Sequence, residues 1–503
     1  MIEGLLHGFT TVLEPMNIIV LLLAVFIGFL GGAMPGISGT MLIIILLPIT
    51  YGMAAEPAFL LLTGIYAAAV FSGLISAILF RTPGTPEAIV TVFDGYPMTK
   101  KGQAGRALGV GIFSSTFGGI VGTIALIFLT PPLATIALKF SSAEFFALAV
   151  LGLTVVASLS GGDLVRGVLG VLFGLFIATM GMDSITGTAR FSFDSPHLMS
   201  GLGLIPILIG LFAISEVLRK SGEDHSIKQK YEKVKTKIFE VKIIKRISGT
   251  LARSTLLGIF IGILPGVGAT TASMLSYSEA VRWSKTPEKF GTGIPEGVAA
   301  PESANNAAAM GAMVPLLALG IPGSATTAVI LGAFILHGLQ PGPMLLTTNA
   351  DLVYTIFVGL LIVNASILVF SKPFIRIFSH FTKVPYSVLA PFILLLCIIG
   401  TFAVRNSIFD VWIMFAFGII GFFLEKLKFP LATIILGIVL GPIAEVEFRR
   451  ALTMSGGDYT VFFTRPISAV LLIVALIALF APYISSLFKG KKKNAGDDQS
   501  IAQ

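Results

Sequence analysis

The chain has 503 residues, of which 55% are hydrophobic and only 12% charged, with a mean hydropathy of +0.94. Soluble domains carry about 25% charged residues, and a soluble helical protein has nowhere to place so much apolar surface. The net charge of +8 sits in loops and at the C-terminus, so it reads as an orientation signal and not as a nucleic-acid footprint.

Apolar runs in the first half lie near 17–32, 37–52, 57–80, 108–130, 141–160, 164–182 and 200–218. Most approach the length needed to cross a hydrocarbon core of about 30 Å. The N-terminus lacks a basic leader region, so a cleaved signal peptide is not expected. Residues 219–253 follow, with eleven Lys/Arg against four acids. This segment reads as a cytoplasmic linker, as do loop 94–106 and the tail with Lys489, Lys491, Lys492 and Lys493. Seven segments before a cytoplasmic linker place the N-terminus outside, and its first sixteen residues contain no Lys or Arg. An odd first half sends the second half into the membrane from the opposite side. The loop charges agree. The counterpart of the basic loop 94–106 is 337–350, which has no Lys or Arg, whereas 282–289 carries Arg282, Lys285 and Lys289. One loop disagrees, since 445–465 is expected outside yet holds Arg449, Arg450 and Arg465.

The predicted fold is therefore an all-α polytopic membrane protein of two inverted-topology repeats with about 12–15 membrane segments. Repeat 1 is assigned to 1–218, the linker to 219–253 and repeat 2 to 254–445. An extra helix with its preceding loop takes 446–488, and 489–503 is a polar tail.

A glycine ladder appears in each half. Gly28, Gly32 and Gly36, with Pro35 and Thr40, match Gly258, Gly262 and Gly266, with Pro265 and Thr270, at a constant offset of 230 residues. A second pair of breaks, Pro83-Gly84-Thr85 and Pro322-Gly323-Ser324, follows the third segment of each half. By themselves, four-residue glycine ladders are helix-packing devices. Duplicated breaks are more specific, because discontinuous helices mark binding sites where two repeats meet. A broken helix frees backbone N–H groups at its restart, which suit an anion, and carbonyls at its upstream end, which suit a cation. Hydroxyls follow directly, from Ser38, Thr40, Thr85, Thr270, Thr271, Ser324, Thr326 and Thr327. The candidate substrate site is Gly36, Ser38, Thr40, Pro83, Gly84, Thr85, Gly266, Gly268, Thr270, Thr271, Asn305, Asn306, Gly323 and Ser324.

Asn305 and Asn306 follow Pro301-Glu302-Ser303-Ala304 in an apolar segment. Two adjacent amides there cost free energy unless bonded, so they are candidate contacts for substrate or Na⁺, together with Thr326 and Thr327. Glu302 and Ser303 read as first-turn capping residues of a helix opening at Pro301. Arg81 is either a counter-charge for an anion or a cation snorkelling at a helix end. Glu87 and Asp94 read as loop or interface charges. Cys397 stands alone, the five histidines lack ligand spacing, and no phosphate loop, His-Glu-x-x-His or haem motif occurs. No metal site, cofactor or enzyme chemistry is expected.

At these residues the chain resembles the large membrane subunit of tripartite tricarboxylate transporters, the TctA-like family. The resemblance spans nearly the full length and is most specific at Gly31–Gly39, Pro83-Gly84-Thr85-Pro86 with Asp94-Gly95-Tyr96-Pro97, Pro265–Thr270 and Pro295–Asn306. It implies a bacterial inner-membrane, ion-coupled carrier for citrate-like carboxylates or dicarboxylates. It also implies two partners, a small membrane subunit and a periplasmic solute-binding protein, and a coupling ion that is Na⁺ or H⁺. A stand-alone carboxylate carrier and an anion channel remain the alternatives.

Overall fold

The computed structural model describes residues 1–34, 37–159, 163–221, 240–381 and 386–480. Pro35 and Gly36, most of the basic linker and the tail 489–503 lie outside the described residues. In chain order the main helices are α1 (Ile2–Val12), α2 (Pro15–Ala33), α3 (Gly39–Thr50), α4 (Ala55–Phe80), α5 (Val92–Lys100), α6 (Ala104–Ala137), α7 (Ser142–Leu159) and α8 (Leu164–Ala178). A helical stretch with a π segment at Ile209–Ile214 precedes the linker. Beyond it come α9 (Val241–Ile263), α10 (Gly268–Trp283), α11 (Pro295–Gly311), α12 (Met313–Leu319), α13 (Ala325–Leu336), α14 (Ala350–Phe381), α15 (Tyr386–Arg405), α16 (Ile408–Lys426) and α17 (Leu431–Met454).

Among the described residues, seven of these helices are long and apolar enough to cross a membrane. Helices α3 and α13, with 12 residues each, rise only about 18 Å at 1.5 Å per residue and cannot cross one alone. Both restart the chain directly after a Pro-Gly break. The outward side chains are apolar, as on α15, where Phe392, Leu395, Ile399 and Phe402 are exposed. That surface suits lipid and not water. The molecule is a polytopic all-α membrane protein.

The described residues pack as two compact units, one within 1–138 and 203–423, the other within 139–202 and 424–480. These units divide the chain along other lines than the sequence halves do.

In the larger unit the central helices are α4, buried at every residue from Pro57 to Phe80, and α11, buried from Gly297 to Gly311. The glycine ladders are the reason these helices approach so closely. On α2, an added methyl group at Gly28 would meet Ala68 of α4, and one at Gly32 would meet Ala69 and Ser72. On α9, one at Gly258 would meet Ala304 of α11, and one at Gly262 would meet Ala308. The ladders thus do the same packing work in both halves. Each central helix also receives the long helix of the other half. Gly118 and Gly122 of α6 lie against Ser303 and Ala307 of α11, while Gly359 of α14 lies against Leu60 of α4. The core is completed by aromatic pairs such as Phe59 with Phe334, whose ring centroids are 4.1 Å apart.

The smaller unit packs α17 against α8 through glycines, with Gly174 on Ile434 and Gly437. A short hairpin pairs Gly181–Met182 with Ala189–Arg190. Phe146, Phe448 and Phe462 form an aromatic cluster beside it. This unit also explains the arginines that disagreed with the loop-charge pattern. Arg449 pairs with Asp183 at 2.7 Å, Arg450 with Glu447 at 2.8 Å and Arg465 with Glu144 at 2.5 Å. Moreover, Arg449 and Arg450 are not in a loop, because α17 runs to Met454.

Candidate functional site

Four helix interruptions shape the site. In each half the chain leaves one helix at the first break, α2 to α3 and α9 to α10, and another at the second, after α4 and after α12. The backbone needs glycine at several of these places. Gly266 and Gly268 have φ of +77° and +73°, a region that side chains rarely tolerate. At Gly84 an added methyl group would overlap the Gly32 carbonyl, and at Gly323 it would come within 2.9 Å of the Gly262 carbonyl. Gly32 and Gly262 are matching ladder positions, so the second break closes onto the first in the same way in both halves. In the second half the Gly266 N–H also donates to the Gly323 carbonyl at 2.9 Å.

The restarting helices are capped by the hydroxyls the sequence singles out. Ser38 Oγ accepts from Met41 N at 3.1 Å. Ser324 and Thr327 form a reciprocal capping box at the start of α13. Across the halves, Thr40 Oγ1 and Thr326 Oγ1 share a hydrogen bond of 2.6 Å, and Tyr66 Oη reaches Ser324 Oγ at 3.5 Å. Helix α10 meets the turn Pro86–Ala88 in turn. The helices that follow the breaks therefore interlock between halves.

Of the predicted site residues, Ser38, Thr40, Pro83, Gly266, Gly268, Thr270 and Thr271 are half-buried. Gly84, Thr85, Asn305, Asn306, Gly323, Ser324, Thr326 and Thr327 are buried. Gly36 lies outside the described residues. Thr85 Oγ1 sits beside the Glu87 carboxyl outside hydrogen-bonding geometry. Asn306 Nδ2 donates to Asn305 Oδ1 at 2.8 Å and to the Glu302 carbonyl at 3.0 Å, and Asn305 Nδ2 donates to the Glu87 carbonyl at 3.4 Å. The costly amides are thus mutually satisfied, and they tie α11 to the second break of the first half.

One expectation is corrected. Glu302 and Ser303 do not cap a helix, because α11 begins at Pro295 and both lie in its interior. Pro at the first helical position was the stronger start signal. Glu302 is fully buried and accepts from Thr91 Oγ1 at 2.5 Å and Ser115 Oγ at 3.0 Å. Asp94 is the true clamp on that helix start. Its carboxylate accepts from Gly293 N, Ile294 N, Gly291 N and Tyr277 Oη, all within 3.0 Å. Holding a carboxylate at a helix N-terminus is electrostatically favourable, and Asp94 joins the halves there.

An open cleft of about 720 Å³ reaches the second break of the first half. Pro83 forms part of its wall, and Arg81, Lys100 and Lys101 supply positive charge. Arg81 ends α4 in the left-handed region with φ +61°, where the second half has Gly320 at φ +73°. A non-glycine residue there is strained. Arg81 is exposed and lines the cleft.

No solved structure matches this chain. A protein of Agrobacterium vitis described as an uncharacterized 52.8 kDa protein in the TAR-I ttuC' 3' region is 39% identical over 493 residues, covering 98% of both chains. A second from the same organism, described as an uncharacterized protein in the TAR-II ttuC' 3' region, is 41% identical over 230 residues, 46% of this chain and 95% of that one. The model of the tripartite tricarboxylate transporter TctA family matches residues 18–436. That match takes in all four helix interruptions and both central helices, and the chain belongs to the tripartite tricarboxylate transporter TctA family.

Proposed function

We propose that this chain is the large membrane subunit of a binding-protein-dependent carrier that takes up organic carboxylates, citrate-like tricarboxylates or dicarboxylates, driven by Na⁺ or H⁺. The observation that carries the reading is the interlock of broken helices, with Thr40 and Thr326 joined across the halves at 2.6 Å. Helix N-termini and hydroxyls suit carboxylate oxygens. The cationic cleft at Arg81, Lys100 and Lys101 would draw the anion toward Pro83 and Gly84. Substrate would be held by Ser38, Thr40, Gly84, Thr85, Gly266, Gly268, Thr270, Thr271, Gly323 and Ser324, with Gly36 joining them at the first break. Asn305 and Asn306 would brace the site from α11.

The partners in this reading are a small membrane subunit and a periplasmic solute-binding protein. The location is the bacterial inner membrane, with the N-terminus outside and the C-terminus cytoplasmic. The two repeats have inverted topology, as the loop charges predict.

The test is uptake of labelled citrate and a dicarboxylate panel into vesicles holding this chain and its small partner. It is run with and without the binding protein, and with and without Na⁺ and pH gradients. Accumulation that needs both the binding protein and a gradient supports the reading. Accumulation without the binding protein makes the chain a stand-alone carrier. Equilibration indifferent to every gradient makes it an anion channel.

A further inference from the structure

Glu302 sits in the middle of α11, with no exposed surface and hydroxyl partners on both carboxyl oxygens. Among the described residues no Lys, Arg or His pairs with it. An ionised carboxylate buried without a cation is expensive, and two hydroxyl donors offset only part of that cost. Capping does not explain it, since the helix starts seven residues earlier. The mechanism argued above leaves it without a role.

We propose that Glu302 binds the coupling proton of this carrier. The proposal rests on the carrier reading and goes beyond it by naming the ion and its site. The surroundings favour a proton over a metal cation. Thr91, Ser115 and the Asn305 side chain all present hydrogen-bond donors to the Glu302 carboxyl, whereas a hard cation needs several oxygen acceptors turned toward it. The Thr91 and Ser115 hydroxyls each hold one carboxyl oxygen, and a hydroxyl can donate or accept. Both donate to the carboxylate. When the proton arrives, the new O–H donates to one hydroxyl, which turns to accept. One proton is taken up from one side and released to the other, and no other bond changes.

The ionisable groups around α11 are few. Glu87 faces Glu302 from the turn Pro86–Ala88, and its backbone carbonyl is held by Asn305. Asp94 of α5 and Tyr277 of α10 are bonded to each other at the helix start. Tyr66 of α4 is directed to Ser324. The cations Arg106 of α6, and Arg246 and Arg253 of α9, are engaged by Glu240, Glu296 and the Trp283 ring. Glu87 is thus the second carboxyl group that faces Glu302, and it lies on the segment that follows Pro83-Gly84. Substrate arriving at that break meets the same segment, which links carboxylate binding to proton binding.

The experiment uses the full chain with its small subunit and binding protein in vesicles. Two readouts are compared, substrate counterflow without any gradient and accumulation driven by a pH gradient. One pH unit sustains about tenfold accumulation per proton carried. Glu302→Gln is expected to keep counterflow and to lose accumulation, the ratio falling to about one. Gradient-driven accumulation in Glu302→Gln at the wild-type ratio overturns the proposal, as does wild-type accumulation driven by Na⁺ and indifferent to pH. Failure of wild-type counterflow would instead overturn the carrier reading itself. Should Glu302→Gln not fold, the wild-type protein decides the matter. A protonated-carboxyl infrared band that responds to pH, and that shifts in Ser115→Ala, supports the proposal, and a band unmoved by Ser115→Ala overturns it.

Discussion

Thr40 Oγ1 and Thr326 Oγ1 lie 2.6 Å apart although 286 residues separate them in the chain. One begins the helix after the first break of the first half, the other the helix after the second break of the second half. Thr326 is buried, so losing its partner leaves a hydroxyl unsatisfied at a cost of about 1–3 kcal/mol. Thr40→Val and Thr326→Val are each expected to weaken substrate binding about tenfold, and the double variant to lose less than the sum. Substrate-dependent thermal stabilisation of the four proteins checks this. Additive losses, or wild-type affinity in either single variant, would remove the pair from the site.

Two glycines on one helix make a sharper stability prediction. Gly249 and Gly262 both belong to α9, but a methyl group at Gly249 meets nothing within 4 Å, while one at Gly262 runs into the Ala308 backbone. Gly249→Ala should raise stability by roughly 0.5–1 kcal/mol through helix propensity. Gly262→Ala should lower it by about 1–3 kcal/mol, because the obstacle is backbone and cannot rotate away. Melting temperatures in detergent should move in opposite directions. Equal shifts would mean that the ladder has no packing role.

Much of this was legible in the sequence because it depends on local rules. Apolar runs point to membrane-spanning helices without any tertiary knowledge, and the helices appear where the runs lie. Pro-Gly breaks with hydroxyls are equally local, and the structure shows Ser38 and Ser324 capping helices as such residues do. What the sequence withheld is pairing at long range. Nothing near Asp94 announces that it will accept four hydrogen bonds from residues 277–294. Glu302 was misread because its local context imitates a helix start, and only the observed start at Pro295 places it in mid-helix. Arg449 and Arg465 look like topology signals until their partners Asp183 and Glu144 are seen.

Arg81 allows charge and strain to be separated. Its left-handed backbone, φ +61°, is unfavourable for any residue with a side chain beyond Cα, by about 1–2 kcal/mol. Arg81→Gly should therefore raise the melting temperature while Arg81→Ala should not. Both variants remove a cation from the cleft and should raise KM for carboxylate about tenfold, with a smaller salt dependence. A KM unchanged in both would leave Arg81 as a helix-terminal residue with no part in substrate capture.

Asp183 carries a pH prediction. Its carboxylate accepts from Thr186 Oγ1 at 2.6 Å and from Arg449 at 2.7 Å. These partners, the Thr186 hydroxyl foremost, hold it well below the ordinary value of 3.8. The ionised form is the one the fold stabilises, so its contribution is complete above about pH 4 and is lost as pH falls further. Cleavage of the hairpin 181–190 by an acid-tolerant protease should be slow and constant above about pH 5 and accelerate below about pH 4. Asp183→Asn should be cleaved fast at every pH. A wild-type profile in that variant would show that the cluster does not hold the hairpin.

The arginine pairs also bear on topology. A cation neutralised by a carboxylate in the folded unit, as Arg449 and Arg465 are, is a weak counter-argument to orientation read from free loop charges. The counter-evidence in 445–465 is thereby weakened, and a direct accessibility measurement decides between inverted and parallel halves. Lys101 and Thr347 lie in matching loops of the two halves and are both exposed. With Cys397 replaced by Ser, Lys101→Cys should react with a membrane-impermeant thiol reagent only in inside-out vesicles. Thr347→Cys should react only in right-side-out vesicles. Labelling of both from one side would place the halves in parallel and overturn the inverted repeat, whatever the glycine ladders suggest.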